Sequence, residues 1–125
     1  KFATIQKRAS TRMTNWVKAA FTKDVSDDSI QQLNINGCKV ALYRCGEEYF
    51  ATSDVCTHAY ALLSDGWLDG YEIECPLHGA RFDVRTGAAL TSPAETALAT
   101  YPVRVAGDAV EIDVTSAPSN RDAST

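Results

Sequence analysis

Apolar and polar residues alternate with a period of two along most of the chain, a pattern that indicates β-strands rather than helices. Glycine-containing pairs that favour tight turns separate the alternating runs, at positions 36–37, 46–47, 69–70, 86–87 and 107–108. Short strands joined by tight turns predict an all-β fold, either an antiparallel sandwich or a barrel-like body. The apolar members of the clearest runs are Val17, Ala19 and Phe21; Cys38, Val40 and Leu42; Tyr71, Ile73 and Cys75; Tyr101, Val103 and Val105; and Val110, Ile112 and Val114.

Helical signals are scarce in this sequence. Ser92 precedes Pro93, and Glu95 follows three positions after the serine, an arrangement typical of a capping box. This segment predicts a single helical turn. No apolar run approaches the roughly 20 residues that a membrane-spanning helix needs, and no internal repeat is present.

The length of 125 residues is enough for one domain. We expect residues 13–115, which begin at the only methionine, to form it. Residues 1–12 are expected to be a disordered or non-native basic leader, and the small polar residues 116–125 a disordered tail. The leader carries a charge of +4, so the rest of the chain carries −8. This acidic balance argues against a nucleic-acid partner.

Two short loops interrupt the strand pattern, and each contains one cysteine followed closely by one histidine. Cys56 precedes His58 in the first loop, and Cys75 precedes His78 in the second. These loops hold both histidines of the chain and half of its cysteines. Such groups of soft ligands are typical of metal sites. Buried cysteines beside incidental histidines are the weaker explanation.

Zinc is one metal that this ligand set could bind, because zinc sites often use two cysteines and two histidines. In zinc fingers, however, the cysteines form one group and the histidines another, whereas here each loop supplies one of each. The arrangement suits a two-iron centre in which thiolates bind one iron and imidazoles bind the other. A structural zinc module stays open as an alternative.

The two loops resemble the Rieske [2Fe–2S] motif, which has the form C-x-H followed by C-P-x-H-G. Further segments resemble the same family, namely LSDG at 63–66, ARFD at 80–83, TG at 86–87, SPA at 92–94 and YPV at 101–103. The resemblance implies a Rieske-like antiparallel β-sandwich or barrel with a cluster-binding subdomain made of the two ligand loops. It also implies one [2Fe–2S] cluster. Cys56 and Cys75 would bind the inner iron, and His58 and His78 the outer one.

Three positions differ from the pattern of respiratory Rieske proteins. Ala61 and Leu77 replace two cysteines that form a disulfide between the loops in those proteins, and Ala80 replaces a serine that donates to a sulfur. With fewer donors, the reduced cluster is less stabilised. We therefore expect a potential near the low end of the Rieske range, about −150 mV.

We expect structural or surface roles for several residues outside the loops. Cys38 and Cys45 lie an odd number of positions apart on one predicted strand, so they point to opposite faces and cannot pair there. We expect them to be buried thiols in a reducing cytoplasm. Arg81 is expected either to support the loops or to lie at the surface. A solvated acidic surface, rather than a specific docking patch, is predicted for Asp65, Asp69, Glu72, Glu74 and Asp83.

The resemblance implies a soluble, cytoplasmic Rieske-type ferredoxin of a bacterial aromatic-ring dioxygenase system. A centre whose coordination positions are all filled transfers electrons, and the chain is too short for a second, catalytic domain, so we expect no enzymatic activity. Electrons would come from an NAD(P)H-dependent flavoprotein or iron–sulfur flavoprotein reductase and go to a terminal oxygenase. The small Rieske-fold subunit of an NAD(P)H nitrite reductase is the alternative within the same fold.

Transient docking of these partners is expected at the tip of the loops. An apolar patch rimmed by acids is typical of a redox docking surface. The alternative is that the same side chains only shield the cluster from water. The patch would consist of Tyr60, Leu62, Leu77 and Pro93, with Asp65 and Asp83 at its rim.

Overall fold

A computed structural model describes residues 15–57, 60–77, 79–92 and 94–115. Within these ranges the chain forms ten β-strands, two short 3-10 helices (Thr22–Asp24 and Leu63–Asp65) and no α-helix. The prediction of an antiparallel all-β fold is confirmed. The strands are β1 (Val17–Phe21), β2 (Ser29–Ile35), β3 (Cys38–Cys45), β4 (Glu48–Ser53), β5 (Trp67–Asp69), β6 (Glu72–Glu74), β7 (Arg81–Asp83), β8 (Thr100–Tyr101), β9 (Val103–Ala106) and β10 (Ala109–Ile112).

The strands form three antiparallel sheets. One has the order β1-β10-β9, a second has the order β2-β3-β4-β8, and the third and smallest has the order β5-β6-β7. Tight turns join most neighbours, and the β2–β3 turn has both Asn36 and Gly37 at positive φ, as two-residue hairpins favour. Strands β5 and β6 lie between the two ligand loops in the sequence, and β7 directly follows the second loop. The small sheet therefore connects the two loops.

Strand β3 separates two hydrophobic cores because its side chains are buried on both faces. Cys38 lies in one core and Cys45 in the other, which confirms that the two cysteines point to opposite faces. We call the core that contains Cys45 the loop core and the core that contains Cys38 the terminal core. The loop core contains Ala41, Tyr43, Cys45, Cys56, Leu63, Ile73, Cys75, Ala80, Phe82, Val84, Ala94 and Leu98. The terminal core contains Val25, Ile35, Cys38, Val40, Leu42, Ala51, Tyr101, Val110, Ile112 and Val114.

Three predicted inward faces are only partly correct. A register shift between Lys18 and Ala20 interrupts the pairing of β1 with β10, which leaves Phe21 exposed rather than buried. Val105 is also exposed, because β9 is an edge strand that pairs only with β10. Tyr71 lies in the turn before β6 and is partly exposed. The other apolar members of these runs are buried or packed against a core.

The helical turn predicted for residues 92–95 is not present among the described residues of that segment. The backbone N–H of Ala94 instead donates to the carbonyl of Thr91 at 3.1 Å, which closes a turn that no helix continues. The predicted leader and tail, residues 1–12 and 116–125, lie outside the described residues. In the part of the chain that is described, no helix is long and apolar enough to cross a membrane.

Candidate metal centre

The two loops that begin at Cys56 and Cys75 have the same backbone design. The N–H of Cys56 donates to the carbonyl of Ala61 at 2.9 Å, and the N–H of Cys75 donates to the carbonyl of Ala80 at 2.7 Å. Each loop therefore runs from a cysteine to an alanine five positions later. An antiparallel pair lies directly behind each one, the bridge between Val55 and Leu62 and the ladder of β6 with β7. Both loops are the tips of hairpins.

These hairpins bring the two thiols together inside the protein. Cys75 is fully buried, Cys56 is 4% exposed, and both belong to the loop core. Burial raises the pKa of the Cys75 thiol to about 11, and its hydrogen bond with the Cys56 thiol acts in the same direction. The backbone N–H of Leu77 donates to the Cys75 sulfur and acts in the opposite direction. All four cysteines of the chain are described, and none forms a disulfide.

The burial of both thiols indicates what could stabilise them as thiolates. Two adjacent buried negative charges are unfavourable unless a cation lies between them. A metal centre supplies that cation, because thiolates and not thiols are the ligands. Cys56 and Cys75 therefore fit one iron of a [2Fe–2S] cluster.

The predicted histidine ligands, His58 and His78, lie outside the described residues. Their described neighbours are more exposed than the cysteines: Thr57 and Tyr60 are exposed, with Tyr60 at 92%, and Leu77 is exposed at 42%. The apolar side chains predicted at the tip are thus at the surface for Tyr60 and Leu77. Leu62 is only half-buried, and Pro93 lies outside the described residues.

A third segment, of which residues 90–92 and 94–98 are described, contacts the first loop and the residue directly after the second loop. The hydroxyl of Thr57 donates to the carbonyl of Thr96 at 2.7 Å, which fastens the first loop. The N–H of Arg81, directly after the second loop, donates to the Thr91 hydroxyl oxygen at 3.0 Å. Ala94 is buried in the loop core between these two contacts. The sequence indicated a helical turn, an SPA match and a patch residue, Pro93, in this segment, but not that it braces the loops.

The acidic side chains near the second loop are paired, not simply solvated. The guanidinium of Arg81 donates to Glu74 at 2.9 and 3.1 Å, to Glu72 at 3.0 Å and to Asp69 at 3.3 Å. Hydrogen bonds to these carboxylates, with Glu72 the largest contributor, raise the pKa of Arg81 above its usual range. Asp65 and Asp69 are exposed and the side chain of Glu72 is 45% exposed, so the expected solvated acidic surface is present there. Asp69 and the two glutamates are, however, also paired with Arg81. Arg81 ties β5, β6 and β7 together beneath the second loop.

A second arginine neutralises Asp83, at the end of β7. The guanidinium of Arg85 donates to both carboxylate oxygens, at 3.0 and 2.9 Å, and the Arg85 N–H donates to one of them at 2.8 Å. These bonds lower the pKa of Asp83. Arg85 also lies 4.2 Å from the ring centroid of Tyr71, whose hydroxyl donates to Glu48. Asp83 is consequently part of a structural turn and not a rim carboxylate without a partner.

Asp54 is a further residue that the sequence did not single out. It is fully buried two positions before Cys56 and accepts hydrogen bonds from Ser64. Its partner lies ten positions away in the sequence, so no local spacing rule indicated the contact. Asp54 directly follows β4, whose last three residues are buried, and a charged residue at that point was the only available signal.

Fold and site together define a class of protein: a small antiparallel β-domain with two matched loops whose adjacent buried cysteines fit a metal centre. Comparison with known proteins agrees with this class. Residues 15–102 match the Rieske [2Fe–2S] domain family. The ferredoxin component of the naphthalene 1,2-dioxygenase/salicylate 5-hydroxylase systems of a Ralstonia species is 46% identical over 91 residues, which are 73% of this chain and 88% of that protein.

Two solved structures have the same fold. The ferredoxin of carbazole 1,9a-dioxygenase from Nocardioides aromaticivorans IC177 has a TM-score of 0.78 at 33% identity, over 80% of this chain and 98% of that one. A chain from a complex of reduced oxygenase and oxidised ferredoxin in carbazole 1,9a-dioxygenase has a TM-score of 0.77 at 38% identity, over 81% and 94% of the two chains.

The chain belongs to the Rieske [2Fe–2S] ferredoxins, the electron-transfer components of aromatic ring-hydroxylating dioxygenase systems. The predicted family, fold and cofactor are confirmed, and so is the role as an electron carrier that is not itself the catalyst. The nitrite reductase subunit and the structural zinc module are not supported, because the relatives are ferredoxin components of dioxygenase systems.

Proposed function

We propose that Cys56, His58, Cys75 and His78 hold the [2Fe–2S] cluster, with the cysteines on the inner iron and the histidines on the outer one. The observation that carries this assignment is the contact between two buried thiols at the starts of two loops of equal design. When bound, the cluster takes up and releases a single electron. The domain that holds it is proposed to extend over residues 13–115.

The described residues prepare the site for that role. The loop core excludes water from both sulfurs, since Cys56 and Cys75 pack among fully buried side chains such as Phe82. The Leu77 N–H, directed at the Cys75 sulfur, stabilises negative charge there. Exposed Tyr60 and Leu77 lie within two residues of the proposed histidine ligands in the sequence, so the outer iron would be the one closest to a partner.

We infer that electrons arrive from an NAD(P)H-dependent flavoprotein or iron–sulfur flavoprotein reductase and leave to a terminal oxygenase that hydroxylates an aromatic ring. Support for the second partner comes from the complex of oxygenase and ferredoxin described for carbazole 1,9a-dioxygenase, one chain of which has the same fold as this protein. Both partners would dock in turn at the loop tip, in a reducing cytoplasm.

Electron delivery can be tested with the full chain and a terminal oxygenase of the naphthalene dioxygenase type. Protein reduced stoichiometrically under anaerobic conditions is mixed with oxidised oxygenase, and the absorbance of both Rieske centres is followed. We expect the ferredoxin to be reoxidised while the oxygenase gains one electron per ferredoxin. Reduction of the ferredoxin by NADH should require an added reductase. Reoxidation no faster with oxygenase than in buffer alone would overturn the assignment.

A further inference from the structure

Asp54 makes an unusually complete set of contacts for a buried carboxylate. One carboxylate oxygen accepts from the backbone N–H of Ser64 at 2.7 Å, and the other accepts from the Ser64 hydroxyl at 2.8 Å. The amide of Gln32 donates to the second oxygen at 3.4 Å and to the Ser64 hydroxyl at 3.2 Å. The three groups that contact the carboxylate are all donors, and the side chain is wholly shielded from water.

The partner of Asp54 belongs to a short segment, residues 63–66, which we call the bridge. The N–H of Leu63 donates to the backbone carbonyl of Asp54 at 2.7 Å, so the bridge is held by both the main chain and the side chain of that residue. The N–H of Gly66 then closes the turn on the Leu63 carbonyl at 2.9 Å. One end of the bridge is thus fixed two residues before Cys56.

The other end of the bridge lies against the second loop. A Cβ atom at Gly66 would lie 2.0 Å from the backbone carbonyl oxygen of Glu74, so only glycine permits this approach. Glu74 directly precedes Cys75. The bridge therefore contacts the residue one before the second cysteine and the residue two before the first.

We propose that Asp54 is a positioning residue for the metal centre: its carboxylate holds the bridge against the starts of both ligand loops and places a fixed negative charge behind them. The inference rests on the proposed function of Cys56 and Cys75 as iron ligands. Two effects follow. Loss of the contact alters the relative placement of the two loops, and loss of the charge favours electron uptake, because the field of a nearby negative charge opposes reduction.

The competing explanation is that Asp54 only caps a turn and contributes to stability. Asp113 offers a matched control, because it is also fully buried and its carboxylate accepts from the backbone N–H and the hydroxyl of Thr115. It follows β10, between two residues of the terminal core, Ile112 and Val114. Both bonds from Thr115 end on one oxygen of Asp113, and its second oxygen has no partner among the described residues. Asp54→Asn and Asp113→Asn each remove a buried carboxylate charge, but only the first does so behind the ligand loops.

The experiment compares iron content, the EPR spectrum of the dithionite-reduced state, the midpoint potential and the thermal unfolding midpoint of wild type and both variants. For Asp54→Asn we expect changed EPR g-values and a shift of the potential to more positive values. The shift should correspond to at least a threefold change in the oxidised-to-reduced ratio at fixed potential, which at 59 mV per tenfold for one electron is about 28 mV. Asp113→Asn should keep the wild-type spectrum and potential.

Ser64→Ala provides a second test that does not depend on the folding of the first variant. It removes the hydroxyl donor but keeps the Asp54 charge, so we expect changed g-values with a smaller shift of the potential. If Asp54→Asn and Ser64→Ala lower only the unfolding midpoint and leave spectrum and potential at wild-type values, the positioning role is overturned. A wild-type protein without iron and sulfide would instead overturn the proposed ligand set.

Discussion

Leu77 has two separate roles in the second ligand loop, one for its backbone and one for its side chain. Its backbone N–H donates to the Cys75 sulfur, while its side chain is 42% exposed at the loop tip. The sequence indicated that no cysteine stands at this position and that the side chain is apolar. It did not indicate the hydrogen bond, because a backbone donor has no residue signature. Side-chain donors to the sulfurs can therefore be counted from the sequence, but backbone donors only from the structure.

Ala80 is the position where a single added donor should change the potential. It is fully buried at the end of the second loop, and its carbonyl accepts from the N–H of Cys75. Ala80→Ser should raise the midpoint potential from the low end of the Rieske range, about −150 mV, because a hydroxyl bonded to a sulfur stabilises the reduced state. Protein-film voltammetry measures the shift. A wild-type potential well above zero would show that other donors already compensate.

Tyr60 and Leu77 allow the docking role of the tip to be separated from shielding. Tyr60→Asp or Leu77→Asp should slow electron delivery to the oxygenase at sub-saturating concentration, because a buried charge opposes association at an apolar contact. Val105→Asp is the control, because Val105 lies on edge strand β9 and its exposure of 48% is similar to the 42% of Leu77. Optical and EPR spectra should stay unchanged in all three. Full transfer rates in both tip variants would exclude docking there, and bleaching of the centre would indicate shielding.

At the level of secondary structure, alternation predicted most of the strands and misjudged their edges. Val110, Ile112 and Val114 are buried, as the period of two predicts, whereas β3 departs from it because its side chains are buried on both faces. Phe21 is exposed because the register shift in β1 reverses the side that each following residue faces. A shift of this kind depends on the partner strand, which lies about ninety positions away. Local pattern alone could not reveal it.

Gly66 provides a test of the bridge at this scale. Gly66→Ala should destabilise the protein by about 2 kcal/mol or more and lower its iron content, because the new Cβ would clash with the Glu74 carbonyl. Gly107→Ala is the control: Gly107 also lies in a turn but has open space around it, so we expect about 1 kcal/mol from its positive φ alone and full iron content. Urea unfolding and iron analysis measure both. Equal iron in the two variants would contradict the close approach.

The turn held by Asp83 and Arg85 should make stability depend on acid pH. Because the pKa of Asp83 is lowered in the folded protein, its contribution to stability is complete above the ordinary carboxyl pKa, about 4, and is lost as the pH falls through the folded value. Arg85→Gln should therefore be less stable than wild type at neutral pH, and the difference should shrink in acid. Urea titrations across this pH range measure it. A constant difference would show that the cation–π contact with Tyr71 dominates.

At the scale of the whole molecule, the site is an extension of one of the two cores. Cys56 and Cys75 belong to the loop core, together with Tyr43 of the central strand, so the ligand loops are anchored in packed structure. The sequence predicted the loops because cysteine and histidine spacing is local. It could not predict the supports, Asp54 with Ser64 and the segment 90–98, because each joins positions that only the fold brings together.

The central claim is a two-iron centre held by one cysteine and one histidine from each loop. Iron, zinc and acid-labile sulfide analysis of anaerobically purified protein, with EPR of the reduced state, tests it most directly. We predict two irons and two sulfides per chain. Cys45→Ser should retain them and Cys56→Ser should lose them, because the Cys56 thiol contacts Cys75 and belongs to a ligand loop, whereas Cys45 lies outside the loops. One zinc per chain with no EPR signal after reduction, or full iron content in Cys56→Ser, would contradict the account.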